Sequence, residues 1–130
     1  HTAYRRQRQM CIRDSDLHDA LSYSSELISV NQIKMAYPTF SSPVIDYARA
    51  HSVVTTAYSP LNAGAMRTDP VVRRLAEQYD RTPAQITLRW LTQQNIVAIP
   101  KSASFDRLNE NLNSCNFTLR DADLCALGII

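Results

Sequence analysis

The chain reads as an α/β protein built on a parallel sheet, and three features of the sequence say so. Short apolar or β-branched runs alternate with amphipathic stretches in the order helix, strand, helix, strand, two helices, strand, two helices. That order is the pattern of right-handed βαβ units. Ile96, Val97, Ala98 and Ile99 form an unbroken apolar run stopped by Pro100, as expected of a parallel strand covered on both faces. Thr82-Pro83-Ala84-Gln85 is a capping box with proline at the first helical position, placing a helix directly before that strand.

Taken in order, the helical pattern begins at Asp16, where Leu17, Ala20, Leu21 and Ser24 share one face. Leu27 to Val30 reads as a short apolar strand with Asn31 and Gln32 at its C-terminal end. Tyr37-Pro38 breaks the chain into a loop, and Ser42-Pro43 starts a helix running to about His51. Val53 to Tyr58 is β-branched, bounded by Ser59-Pro60, and predicts the second strand. A loop from Leu61 to Thr68 follows, with Gly64 its only glycine. Asp69-Pro70 opens a helix with Val72, Leu75, Ala76 and Tyr79 on one face, and the Thr82 helix runs through Gln94 until Asn95 ends it. After the third strand, Ser104 is placed to cap a helix with Asp106 in its first turn. Phe105, Leu108 and Leu112 predict an inward stripe on that helix. Asp121 and Asp123 suit the first turn of a last helix through Leu127.

Composition sets the class of protein. The chain has 130 residues, 45% apolar and 20% charged, which bounds it to one small domain. No apolar run approaches the roughly 18 residues of a membrane span, and no apolar segment follows the basic N-terminus as in a signal peptide. Cys11, Cys115 and Cys125 are odd in number and lack C-x-x-C spacing, so reduced thiols and a cytoplasmic location are expected. His1, His18 and His51 show no ligand spacing, so no metal is expected. Residues 1–15 carry Arg5, Arg6, Arg8 and Arg13 against Asp14, so the net charge of +2 leaves residues 16–130 with one negative charge in excess. A nearly neutral fold argues against a nucleic-acid surface. Residues 1–15 resemble translated sequencing-adapter sequence, and the expectation is a disordered leader foreign to the fold, with the domain occupying 16–130.

The stretch from Ile96 to Asn111 carries the chemistry. Ser104, Arg107 and Asn111 repeat one helical spacing, with Glu110 beside them. Lys101, Ser102 and Arg107 therefore converge where a strand's C-terminal end meets a helix N-terminus, whose free N–H groups favour an anion. This is the chemistry of a phosphate site; lysines also follow strands for no functional reason.

Four segments resemble the aldo-keto reductase family, in the family's order. They are Val30-Asn31-Gln32-Ile33, Thr56 to Leu61, Thr82 to Trp90, and the Pro100-Lys101-Ser102 run ending in Glu110-Asn111. The resemblance covers about Asp16 onward and looks closest to bacterial diketo-gluconate reductase-like members. It implies a (β/α)8 barrel, which usually takes about 250 residues. The chain then corresponds to the C-terminal three βα units, an incomplete barrel, from a monomeric parent acting on a small-molecule carbonyl substrate.

The resemblance also implies NADPH as cofactor. Asn31 falls in the matched segment, and Gln32 matches the residue that hydrogen-bonds the nicotinamide carboxamide, with capping of a strand end as its other reading. Tyr58 matches the aromatic stacked on the nicotinamide ring; read alone, it is a core aromatic. Ser59 and Leu61 match positions along the diphosphate, although Asn62 stands where the family usually has glycine, which puts the turn's path in doubt. Lys101, Ser102, Ser104 and Arg107 match the grip on the 2′-phosphate, and Glu110 and Asn111 match adenine contacts. A solvated helix face is the other reading of Arg107 and Asn111. Arg89 and Trp90 read as packing between helix and barrel. The family's catalytic tyrosine, lysine, aspartate and histidine have no counterparts in this sequence. A nucleotide-binding regulatory subunit on the same fold is the alternative function.

Overall fold

The computed structural model describes residues 14–23, 28–40 and 42–128. The elements are α1 (Asp14–Tyr23), β1 (Val30–Lys34), α2 (Ser42–Ala50), β2 (Val54–Tyr58), α3 (Pro70–Tyr79), α4 (Pro83–Thr92), β3 (Val97–Ile99), α5 (Phe105–Leu112) and α6 (Asp121–Ala126). The strands form one parallel sheet in the order β1-β2-β3. Thr56 lies between Gln32 and Val97, and Tyr58 between Lys34 and Ile99. Alternation then fixes two faces. Asn31, Ile33, Thr55 and Ala57 point under the helices, whereas Val30, Gln32, Lys34, Val54, Val97 and Ile99 line the other face and are exposed.

The helix-covered face carries the core. Ile33 and Ala57 join Val72, Leu75, Ile86, Trp90 and Leu91 in the main cluster. Trp90 is fully buried and meets Tyr37 and Phe40 edge-on, with ring centroids 5.6 and 5.8 Å away. A smaller cluster of Leu17, Ala48 and Val53 joins α1 and α2 to the start of β2. Helix starts follow local chemistry. The Asp69 carboxylate accepts the Val71 and Val72 N–H groups at 2.9 and 3.0 Å, and Thr82 and Gln85 complete their reciprocal box.

Several expectations are corrected. The first strand is Val30–Lys34 rather than 27–30, so Asn31 and Gln32 lie inside it. Residues 24–27 lie outside the described residues, as do 1–13. The extent of β1 is set by its ladder to Val54–Tyr58, which accepts polar residues as readily as apolar ones. The apolar run before Pro100 is not covered on both faces. Ile96 is buried, but Val97 and Ile99 are 47% and 43% exposed. Among the described residues β3 is an outer strand, and nothing packs on its second face. The inward stripe of α5 is bare as well: Phe105 is 81% and Leu112 74% exposed, with Leu108 half exposed. Ser104 stands at the start of α5 without a side-chain cap; its own N–H instead donates to Ser102 Oγ at 3.1 Å. Helix α4 stops at Thr92, and Asn95 turns the chain in a left-handed conformation. The Leu61–Thr68 loop is wound into a 3-10 segment, Asn62–Thr68.

Candidate functional site

A cavity of about 330 Å³ opens where the C-terminal ends of the paired strands β2 and β3 run into the segments that follow them. Ligands in α/β sheets bind at such strand ends. One part of its lining is the turn from Ser59 to Gly64 with Met66 and Arg67. The other part is Pro100, Lys101 and Ser102 with Arg107, Glu110 and Asn111, and Ala84 completes it from the first turn of α4.

The turn after β2 is held by an unusual backbone. Ser59, Asn62 and Ala63 adopt φ of 51°, 40° and 52°, and Gly64 follows at 94°. The Asn62 N–H donates to the Ser59 carbonyl at 3.0 Å, and the Gly64 N–H to that of Leu61 at 2.7 Å. Asparagine tolerates the left-handed region better than most residues. Asn62 therefore stands in a left-handed conformation of the kind glycine adopts freely.

Gln85 fixes the second part of the lining. Its side-chain oxygen accepts the Thr82 N–H at 3.1 Å, closing the α4 cap, while its amide nitrogen donates to the Glu110 carbonyl at 3.0 Å. One buried amide thus joins the start of α4 to the last turns of α5. Lys101, Arg107 and Arg67 are exposed and have no ion pair among the described residues. Three cations stand in the cavity against one carboxylate, Glu110. Such a site holds anions, and guanidinium groups give phosphate oxygens paired donors.

Most of the residues singled out from the sequence meet here: Ser59, Leu61, Lys101, Ser102, Arg107, Glu110 and Asn111 all line the cavity. Gln32 and Tyr58 do not line it; both lie on the open face of the sheet, Tyr58 half-buried and one row closer to the strand ends. Asn31 is the correction. It is 2% exposed on the opposite, helix-covered face, and its amide has no partner among the described residues. A period of two sends neighbours to opposite faces, so Asn31 and Gln32 cannot serve one ligand. Ser104 also lies outside the cavity lining, on exposed surface at the start of α5. Sequence reasoning missed Arg67, Met66 and Ala84. Arg67 had a signal, a basic residue in a glycine-containing loop after a strand; Ala84 had none.

Cys115 and Cys125 are exposed free thiols. No cluster of metal-binding side chains and no helix long and apolar enough to cross a membrane occurs among the described residues.

A parallel sheet covered by helices, with a basic cavity at its strand ends, defines a protein of the α/β class. The particular family follows from comparison: the aldo/keto reductase family matches residues 16–128, and the chain belongs to it. It is 34% identical to morphine 6-dehydrogenase of Pseudomonas putida, over 88% of this chain and 43% of that protein. It is 33% identical to aldose reductase B of Dictyostelium discoideum, over 84% of this chain and 36% of that one. The crystal structure of Gox0644 in complex with NADPH superposes with a TM-score of 0.84 at 29% identity, covering 89% of this chain and 43% of Gox0644. A putative 2,5-diketo-D-gluconic acid reductase B gives a TM-score of 0.84 at 27% identity, covering 89% and 42%. The chain therefore spans about two fifths of the length of these relatives. Members of the family use NADPH.

Proposed function

We propose that this chain is the NADPH-holding part of a reductase that converts aldehydes or ketones to alcohols, formed by the last three βα units of a (β/α)8 barrel. The observation that carries the reading is the cavity itself, which gathers the strand-end residues Ser59 and Leu61 with Lys101, Ser102, Arg107, Glu110 and Asn111. The chemistry of this donor set fits the cofactor. Lys101 and Arg107 would hold the 2′-phosphate, Ser59 and Leu61 line the diphosphate, and Glu110 and Asn111 recognise adenine. Gln32, whose amide both donates and accepts, and the Tyr58 ring share the open sheet face and would orient the nicotinamide. Bound NADPH supplies the hydride. No acid–base residue is assigned within this chain; that role falls to the part of the relatives with which it does not align. The substrate is a small carbonyl compound, and the parent protein is a cytoplasmic monomer. The reductase and dehydrogenase names of the relatives favour this reading over a regulatory subunit.

The test compares cofactor affinity by fluorescence titration. Charge-assisted hydrogen bonds of this kind contribute on the order of 1.5–3 kcal/mol. Arg107→Ala should therefore weaken NADPH by roughly ten- to a hundredfold and NADH much less. Raising salt should weaken NADPH more in the parent than in the variant. Equal losses for both nucleotides would overturn the phosphate assignment.

A further inference from the structure

Lys34 is the only charged residue in the three strands. It ends β1 on the open face of the sheet, exposed, two residues beyond Gln32. The ladder sets it directly beside Tyr58, with Ile99 next in the same row. The rest of that face is valine, isoleucine, Gln32, Thr56 and Tyr58, none of them charged. Lys34 has no ion pair among the described residues, so no carboxylate there cancels its charge.

Neighbouring strands stand about 4.8 Å apart, and residues two apart on one strand about 6.6 Å. A ring lying on Tyr58 and held by the Gln32 amide is therefore within reach of the lysine's four-carbon stem. Such a ring changes charge when it reacts. The dihydronicotinamide of NADPH is neutral. Once its hydride, with both electrons, has passed to a carbonyl carbon, the ring of NADP+ is a cation. Charges this close at a protein surface interact more strongly than they do in bulk water.

We propose, resting on the nucleotide reading above, that Lys34 makes the site discriminate between the two redox forms of the cofactor. Its ammonium repels the oxidised ring and spares the reduced one, so the chain binds NADPH more tightly than NADP+. A tenfold preference of that kind raises the potential of the bound couple by about 30 mV. The same repulsion hastens the departure of spent cofactor, since affinity differences fall mainly on the rate of dissociation.

A lysine at the end of an outer strand has a simpler use, guarding that edge against pairing with another chain. That use is blind to redox state, which gives the experiment its contrast. Calorimetric titration compares the parent chain, Lys34→Met and Lys34→Arg with NADPH, NADP+ and adenosine 2′-monophosphate, which has no nicotinamide. In the parent, NADPH should bind roughly three- to tenfold more tightly than NADP+. Lys34→Met should tighten NADP+ by about that factor and leave NADPH unchanged, so that the preference disappears. Its binding of adenosine 2′-monophosphate should also stay unchanged, which shows that the variant folds. Lys34→Arg should keep the preference, because it keeps the charge. Raising salt should narrow the preference in the parent. Equal affinity for the two redox forms in the parent, or the same ratio in Lys34→Met, would overturn the role of Lys34 while leaving the nucleotide reading in place. Equal losses for all three ligands in Lys34→Met would make Lys34 a structural residue and overturn the proposal too. Failure of the parent chain to bind any of the three would remove the nucleotide reading itself, and this proposal with it.

Discussion

Helices α4 and α5 are of similar length and flank the same short strand, yet they end in opposite environments. In α4 the residues Ala84, Gln85, Ile86, Thr87, Leu88, Trp90 and Leu91 are buried. Nothing in α5 is buried, although its apolar residues keep the regular spacing of an inward face. Both also begin on a hydroxyl residue in extended backbone, but only Thr82 uses its side chain as a cap. Amphipathic spacing states what a helix can bury; the neighbours decide whether it does. The bare helix is the one that lends Arg107, Glu110 and Asn111 to the cavity, so in this chain the buried core and the cavity lining are largely carried by different helices.

The largest test of that division is Trp90→Ala. A fully buried tryptophan with two edge-on aromatic neighbours should cost about 3–5 kcal/mol on truncation, read as a lower urea midpoint. A smaller effect is expected at the other side of the core, where α3 and α6 are joined through Asp123. Tyr79 donates to its carboxylate at 2.6 Å, and the Arg120 guanidinium does so at 2.9 Å. The Tyr79 hydroxyl, then Arg120, hold the Asp123 carboxyl below its usual range. A depressed carboxyl stabilises the fold above its unfolded pKa, and that contribution fades as pH falls through the lower folded value. Tyr79→Phe should cost about 1–3 kcal/mol near neutrality, and the gap to the parent should close on acidification. A gap that is flat across pH would remove the charge from the argument.

The smallest effect belongs to α5. Leu112→Ser should change stability by no more than about 0.5 kcal/mol while lowering the binding of a hydrophobic dye, because Leu112 is mostly exposed. A loss of several kcal/mol there would mean that the stripe is covered in solution, and the contrast between the two helices would collapse.

What could be read from the sequence follows the same division. The starts of α3 and α4 were legible because Asp69-Pro70 and Thr82-Pro83 act on their own backbone, within a few residues. Arg107, Glu110 and Asn111 were legible as a group because their spacing along one short helix brings them together. The position of β1 was not: Val30 to Lys34 alternates in burial, and only its ladder to β2 makes it a strand. Asn31 was misplaced by the same error, since its face depends on where the strand begins. Exposure of Val97, Ile99 and Phe105 depends on what lies across from them, which no local pattern records. Arg67 escaped notice because four left-handed residues had to turn the chain first.

Gln85 couples the two helices mechanically. Its amide is shared between the first turn of α4 and the Glu110 carbonyl, so the two helices carry a common joint. Linkage is reciprocal. A nucleotide bound as proposed, by steadying α5, is expected to tighten the opening turn of α4, and a lesion in that turn to loosen the hold on the nucleotide. Redesign of cofactor preference on α5 would therefore register as a shift in melting temperature, transmitted by one side chain that does not itself line the cavity.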